Sequence, residues 1–185
     1  MQKAVFLDKD GTLIKDVPYN VDITKVEMSF YAFEALKLFQ LHGYKLIIVS
    51  NQSGIALSIF DIAAFKKLQQ YIVDIFLDNQ IVLDGFYYCP HDINGSLQEY
   101  SVACDCRKPL PGMLLQAAKD MDIDLSNSWM IGDILNDVEA GARAGCKTIL
   151  INNGNETEWM NGTYRTPSFL VKDLKEAAQI ITGTY

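Results

Sequence analysis

Six short apolar runs, set apart by stretches with helical spacing, are the feature that most constrains the fold of this 185-residue chain. The runs are Ala4–Leu7, Lys45–Val49, Gly85–Tyr88, Trp129–Ile131, Thr148–Ile151 and Phe169–Val171. Between them, Phe30–Leu41 has apolar residues near a helical period and stops at Gly43. Ser58 is placed to cap a long helix to about Asn79, with Asp61 in its first turn. Its apolar positions Ile62, Phe65, Leu68, Ile72, Ile75 and Phe76 recur every three or four residues. Pro111 suits the first turn of a helix to about Met121, and Asn136–Ala144 and Lys172–Ile181 complete the set. Strands alternating with helices imply βαβ units, hence parallel strands. The expectation is an α/β, Rossmann-like, mostly parallel sheet with helices on both faces. It forms a single domain over residues 1–185, with no insert long enough for a separate cap domain.

Composition narrows the function. The chain is 49% apolar with a net charge of -7, so general electrostatics disfavour nucleic acid and anionic membranes. Any phosphate must be held by local basic groups or a metal. No apolar run approaches a membrane span, and the start is too soon acidic for a signal peptide, so a cytoplasmic, monomeric protein is expected. Three of its four cysteines share one segment with a histidine. In a reducing compartment that signals metal binding rather than disulfides.

Four motifs carry chemistry. The first run ends in Asp8-Lys9-Asp10-Gly11-Thr12. Residues i and i+2 of a strand point to one side, so Asp8 and Asp10 sit together at the C-terminal edge, where open α/β sheets hold ligands. An acidic turn would look the same in isolation. Gly132-Asp133-Ile134-Leu135-Asn136-Asp137 follows a later run. If both strands are central, Asp8, Asp10 and Asp133 converge as hard oxygen donors for Mg²⁺. Asp137 is better placed to tune the site or cap a helix; a plain helix cap is the bland alternative for the whole motif. Ser50-Asn51-Gln52-Ser53-Gly54 offers hydroxyl, amide and backbone donors to phosphate oxygens, or is a polar turn. Arg107-Lys108 pairs a planar fork with a point charge, suited to anions though also common on solvated surface.

The remaining cluster is Cys89-Pro90-His91, twelve residues, then Cys104-Asp105-Cys106. Three thiolates and an imidazole make a full tetrahedral Zn²⁺ set with no open position, hence a structural site stapling the loop 89–111. Chance proximity of three thiols is the competing explanation. Cys146 is expected to be a small core residue, and His42 a C-terminal helix cap.

Together these pieces resemble the haloacid dehalogenase superfamily of phosphatases, across nearly the whole chain from Asp8 to about Asn153. Its Asp-x-Asp-Gly-Thr and Gly-Asp-x-x-x-Asp motifs are matched by Asp8 to Thr12 and Gly132 to Asp137. A narrower pattern, that of the heptose bisphosphate phosphatases and their zinc-bearing histidinol-phosphate relatives, is matched by Asn51 to Ala56, Cys89-Pro90-His91 and Cys104 to Pro109. Asp16-Val17-Pro18-Tyr19 matches that branch's first loop. Leu57-Ser58 stands where the branch has Arg-Gly, and Ile134 where it often has Lys; each change removes a possible substrate contact.

The resemblance implies an Mg-dependent phosphatase acting on a small phosphorylated sugar, converting a heptose 1,7-bisphosphate to the 1-phosphate. Asp8 is implied as nucleophile and Asp10 as general acid and base. Ser50 and Lys108 would stabilise the transferring group. Asp16, Tyr19, Asn51, Gln52, Ser53 and Arg107 would face the substrate. Mg²⁺ would be held by Asp8, Asp133 and the Asp10 carbonyl, and Zn²⁺ by Cys89, His91, Cys104 and Cys106. Histidinol phosphate, against which the long zinc loop and Gln52-Ser53-Gly54 argue, is the alternative substrate. A phosphotransferase and a zinc-stapled binding module without catalysis are alternative functions.

Overall fold

A computed structural model describes residues 1–184; Tyr185, the last residue of the expected domain, lies outside them. The strands are β1 (Lys3–Leu7), β2 (Tyr44–Asn51), β3 (Gly85–Cys89), β4 (Trp129–Gly132), β5 (Lys147–Ile151) and β6 (Phe169–Val171). The helices are α1 (Ala32–Leu41), α2 (Ile62–Asp78), α3 (Gly112–Met121), α4 (Leu135–Ala144) and α5 (Leu174–Thr182). All neighbouring strands run parallel in the order β3-β2-β1-β4-β5-β6.

The near-continuous apolar strands reflect burial on both faces. Val5, Leu7, Leu46, Ile48, Ile131 and Ile149 pack with residues of α1, α2 and α5. Their neighbours Ala4, Phe6, Ile47, Val49 and Met130 face the other way, onto α3 and α4. Two layers of helix therefore enclose one sheet, as the alternation requires. Strand order reverses between β1 and β4, the switch point where the connections run off to opposite sides and leave a crevice.

Two helices, α2 and α5, start on a side-chain cap. Ser58, expected to cap α2, instead has a left-handed φ of 57° and meets Ser96 Oγ at 2.8 Å in an exposed turn. The cap is Asp61, which is extended and accepts from Ala64 N at 2.7 Å. An aspartate three residues nearer the apolar stripe displaces the serine because its carboxylate reaches the free N–H groups of that turn. His42 stands at the α1 C-terminus as expected, its Nδ1 2.9 Å from Leu38 O. Cys146 is buried in the α3–α4 core.

Three connections rise above the C-terminal edge of the sheet: residues 8–31 after β1, 52–61 after β2 and 90–111 after β3. The first is folded by bridges between Asp10 and Ile14 and between Ile14 and Met28. Among the described residues these loops include no inserted cap domain. No described helix is long and apolar enough to cross a membrane.

Candidate active site

The central strands deliver the acidic residues. Asp8 N donates to Ile131 O at 2.9 Å, so β1 and β4 stay paired up to the point where Asp8 and Asp133 emerge. Carboxylate oxygens of Asp8, Asp133 and Asp137 lie within 4.8 Å of one another, and all three residues are buried. Gly11 makes this closeness possible: its φ is +81°, and a Cβ there would collide with the Asp133 carboxylate. Gly132 does the same for Asp137, whose side chain occupies the space a Cβ would fill.

One ammonium answers these carboxylates. Lys108 Nζ bonds to Asp8 Oδ1, meets Asp137 Oδ1 at 2.6 Å and donates to Val49 O at 2.9 Å. Its backbone is gripped by the Asn51 amide: Lys108 N donates to Oδ1 and Nδ2 donates to Lys108 O, each at 3.0 Å. Burial works against the Lys108 charge, but Asp137 and Asp8 outweigh it and hold the ammonium above the usual lysine range. Burial pushes the Asp8 carboxyl well above its usual value; Lys108 opposes this, and Asp137, Asp133 and Asp10 add to it. Asp133 is raised to about 6 by burial and by Asp137, against the pull of Asn155 and Lys108.

Three buried carboxylates against one ammonium leave an excess of negative charge. At an effective dielectric of about 20, each unpaired like-charge contact at this spacing costs about 3 kcal/mol. Oxygen-only donors with surplus negative charge fit a hard divalent cation of the Mg²⁺ type. Both Asp133 oxygens are already oriented, by Thr12 Oγ1 at 3.3 Å and Asn155 Nδ2 at 2.6 Å. Metal ligands are commonly fixed by such outer hydrogen bonds.

A cleft of about 220 Å³ opens over this centre, lined among others by Asp8, Asp10, Asp16, Asn51, Lys108 and Asp133. Asp16 is raised from its usual value by burial and by Asp10. Other expected residues lie differently. The Asp10 carboxylate turns from the three clustered acids to Lys9 Nζ at 2.6 Å and Gln52 Nε2 at 3.1 Å. Gln52 also donates to Ser50 Oγ at 2.8 Å, so its amide is spent within the protein. Arg107 reaches Asp92 Oδ2 and His91 O, both at 3.1 Å, and braces the cysteine loop rather than lining the cleft. Tyr19 is half exposed at a left-handed φ of 54°, and neither it nor Ser53 lines the cleft. Ile134 does line it, at the position before α4. Asp137 both caps and tunes: its Oδ2 accepts from Ile134 N at 3.3 Å while Oδ1 faces Lys108.

The cysteine cluster closes next to this site. Cys106 Sγ is 3.0 Å from Cys89 Sγ, 3.3 Å from Cys104 Sγ and 3.3 Å from His91 Nδ1. A tetrahedron with metal–sulfur bonds of about 2.3 Å has edges of about 3.7 Å, so the four donors already stand near its corners. Hydrogen bonding with Cys89, aided by Cys104 and His91, draws the Cys106 thiol down to about 5, so one thiolate forms readily. Gly112 N donates to Asp105 O at 2.8 Å, anchoring the cluster to the start of α3.

The sequence motifs did not reveal Lys9, Asn153 or Asn155. Asn153 Nδ2 donates to Gly11 O at 2.7 Å, and Glu156 Oε2 accepts from Leu135 N at 2.6 Å. The loop after β5 thus reaches back over the edge of the sheet to both acidic motifs. Only the Asn-Asn-Gly-Asn string at the end of an apolar run hinted at it.

A switch-point crevice holding an Asp-x-Asp-Gly-Thr loop, a second acidic loop and a buried lysine is the arrangement of the haloacid-dehalogenase-like hydrolases. The HAD-hydrolase-like family model matches residues 105–177. Within that class, the chain belongs to the D-glycero-beta-D-manno-heptose-1,7-bisphosphate 7-phosphatase family. It is 44% identical over 155 residues to the protein of that name from Pasteurella multocida, spanning 83% of this chain and 84% of the other. The Escherichia coli K12 protein is 38% identical over 184 residues, 94% and 96% of the two chains. The fold matches the crystal structure of D,D-heptose 1,7-bisphosphate phosphatase from B. bronchiseptica, complexed with magnesium and phosphate. The TM-score is 0.84 at 27% identity, over 99% of each chain.

Proposed function

We propose that the chain is an Mg²⁺-dependent phosphatase that removes the 7-phosphate of D-glycero-D-manno-heptose 1,7-bisphosphate. The observation that carries this reading is the buried centre of Asp8, Asp133, Asp137 and Lys108 at the switch point. An Asp8 oxygen attacks phosphorus and the bond to the sugar oxygen breaks, giving a phosphoaspartate. Asp10 delivers a proton to the departing sugar oxygen, then takes one from the water that attacks phosphorus and frees Asp8. Lys108, and Ser50 with its hydroxyl proton left to donate, stabilise charge on the equatorial oxygens. Asn51 holds Lys108 at its post.

Mg²⁺ would be held by Asp8, Asp133 and the Asp10 carbonyl, and when bound it supplies charge neutralisation between nucleophile and phosphate. Zn²⁺ held by Cys89, His91, Cys104 and Cys106 would be structural, fixing Arg107 and Lys108 through their loop. Asp16 and Asn51 meet the substrate from the cleft walls, and the outlying Tyr19, Ser53 and Arg107 meet its sugar as the loops settle on it. The enzyme works as a cytoplasmic monomer of one domain. Because Leu57 and Ile134 leave two basic contacts of the branch unfilled, the substrate is the point to test. The kcat/KM for phosphate release should be at least about ten-fold higher on the heptose bisphosphate than on histidinol phosphate, a difference of about 1.4 kcal/mol. Equal or reversed rates would overturn the assignment of substrate.

A further inference from the structure

Lys9 stands between the two catalytic aspartates, in the turn that follows β1. It is only 1% exposed, the most deeply buried lysine in the site region. A buried ammonium is costly unless paired, so its position requires a partner that matters. That partner is Asp10: Nζ meets Oδ1 at 2.6 Å. On the other side Gln52 Nε2 donates to Asp10 Oδ2 at 3.1 Å, and the same amide nitrogen donates to Ser50 Oγ at 2.8 Å. Gln52 is itself 6% exposed, and its backbone N donates to Cys89 O at 2.8 Å. Each oxygen of Asp10 is therefore tied to a buried, rigidly mounted donor, while the carboxylate remains at the cleft.

We infer that Lys9 and Gln52 are positioning residues that clamp the Asp10 carboxylate in the one orientation that can pass a proton to the leaving oxygen. The clamp rests on the reading of Asp10 as general acid given above. Each carboxylate oxygen has lone-pair sites beyond the one its donor occupies, so the clamp leaves a site on the cleft side for the mobile proton. As the phosphorus–oxygen bond to the sugar breaks, the Asp10 proton moves to the alkoxide oxygen. In hydrolysis of the phosphoaspartate the attacking water returns a proton to Asp10. A side chain pivoting about two free torsions would spend much of its time misaimed, and small misplacements are expensive in proton transfer. The Lys9 stem and the Gln52 amide also tie the loops after β1 and β2 together at this point, so loop packing and proton transfer are linked.

The clamp predicts a dependence on the leaving group. A sugar alkoxide needs the proton, whereas p-nitrophenolate leaves largely without it. Lys9→Met and Gln52→Leu should each slow the release of the leaving group in a single turnover by at least about ten-fold more on a sugar phosphate than on p-nitrophenyl phosphate, within the range of general acid effects, because the later hydrolysis of the phosphoaspartate is common to both esters. Lys9→Arg, which keeps a cation, should recover most of the loss. Thermal melting of each variant separates unfolding from misaiming, and Gln52→Leu serves where Lys9→Met does not fold. Equal losses on the two esters, or no loss on either, would overturn the clamp. Asp10→Asn tests the reading beneath it: if that variant slows single-turnover release of the leaving group equally on both esters, Asp10 is not the acid. If Asp10→Asn shows the split and neither clamp variant does, only the clamp fails.

Discussion

Asp133 is one of the buried acids held against its charge. Its carboxyl titrates at about 6 in the folded protein against an ordinary 3.8, chiefly because it is buried, and next because Asp137 is near. The folded state thus holds that proton more tightly than the unfolded state. Without metal, the contribution is present below about pH 4 and is lost as pH rises to about 6, worth about 3 kcal/mol in full. Asp133→Asn should therefore stabilise the metal-free protein by about 3 kcal/mol at pH 7.5 and by almost nothing near pH 4. Added Mg²⁺ should stabilise wild type and not the variant. Urea unfolding at the two pH values reads both effects, and a pH-independent difference would contradict the account. The meeting of Asp8 and Asp133 was legible in sequence because short motifs at strand ends fix where such residues emerge, whereas Lys108 lies in the long loop between β3 and α3. The functions of Gln52, Asn51, Lys9 and Asn155 were not legible. An amide's partner is set by tertiary contacts 22 to 57 residues away, as with Asn155 to Asp133 and Asn51 to Lys108. Arg107 shows the same limit, because its pairing with Asp92 depends on how the loop folds back.

At the scale of elements, periodicity located the six strands and five α-helices of the described residues but not the short 3-10 turns Ile23–Lys25 and Leu125–Asn127, and its errors in the helices fell at the ends, where capping decides. For α2 the structure assigns the cap to Asp61 rather than Ser58. Asp61→Ala should cost about 1 kcal/mol, whereas Ser58→Ala, removing one exposed hydroxyl contact, should cost less than about 0.5 kcal/mol. Equal losses in chemical denaturation would return the cap to Ser58. The cysteine loop has few apolar anchors: Ile93, Leu97 and Val102 are all exposed. Its order comes from polar ties such as Arg107 to Asp92 together with the four clustered donors. Protein prepared without chelators should contain about one zinc per chain, and Cys104→Ser should open residues 90–111 to protease while leaving the sheet folded. Absence of zinc by elemental analysis would remove the site. Unfolding of the whole chain on zinc loss would show that the loop supports the core.

At the scale of the molecule, the strand order places β1 beside β4, and the meeting of Asp8 with Asp133 follows from that adjacency. The order itself was not legible: alternation implies a parallel sheet but does not say which strand sits beside which. The acidic motifs hinted at it, since Asp8 and Asp133 can share a cation only if their strands are neighbours. With no cap domain among the described residues, the loops after β1, β2, β3 and β5 screen the cleft, so positioning falls to buried side-chain ties such as those of Asn51 and Gln52. The central claim is that the Asp8 carboxylate does the attacking. Its most direct test is phosphate release from the heptose bisphosphate, with Mg²⁺, by wild type and by Asp8→Asn. Loss of a covalent nucleophile removes several powers of ten, so the variant should retain less than about a thousandth of wild-type kcat while melting as a folded protein. Retention of more than about a tenth of the rate, far above that loss, would contradict a phosphoaspartate route through Asp8.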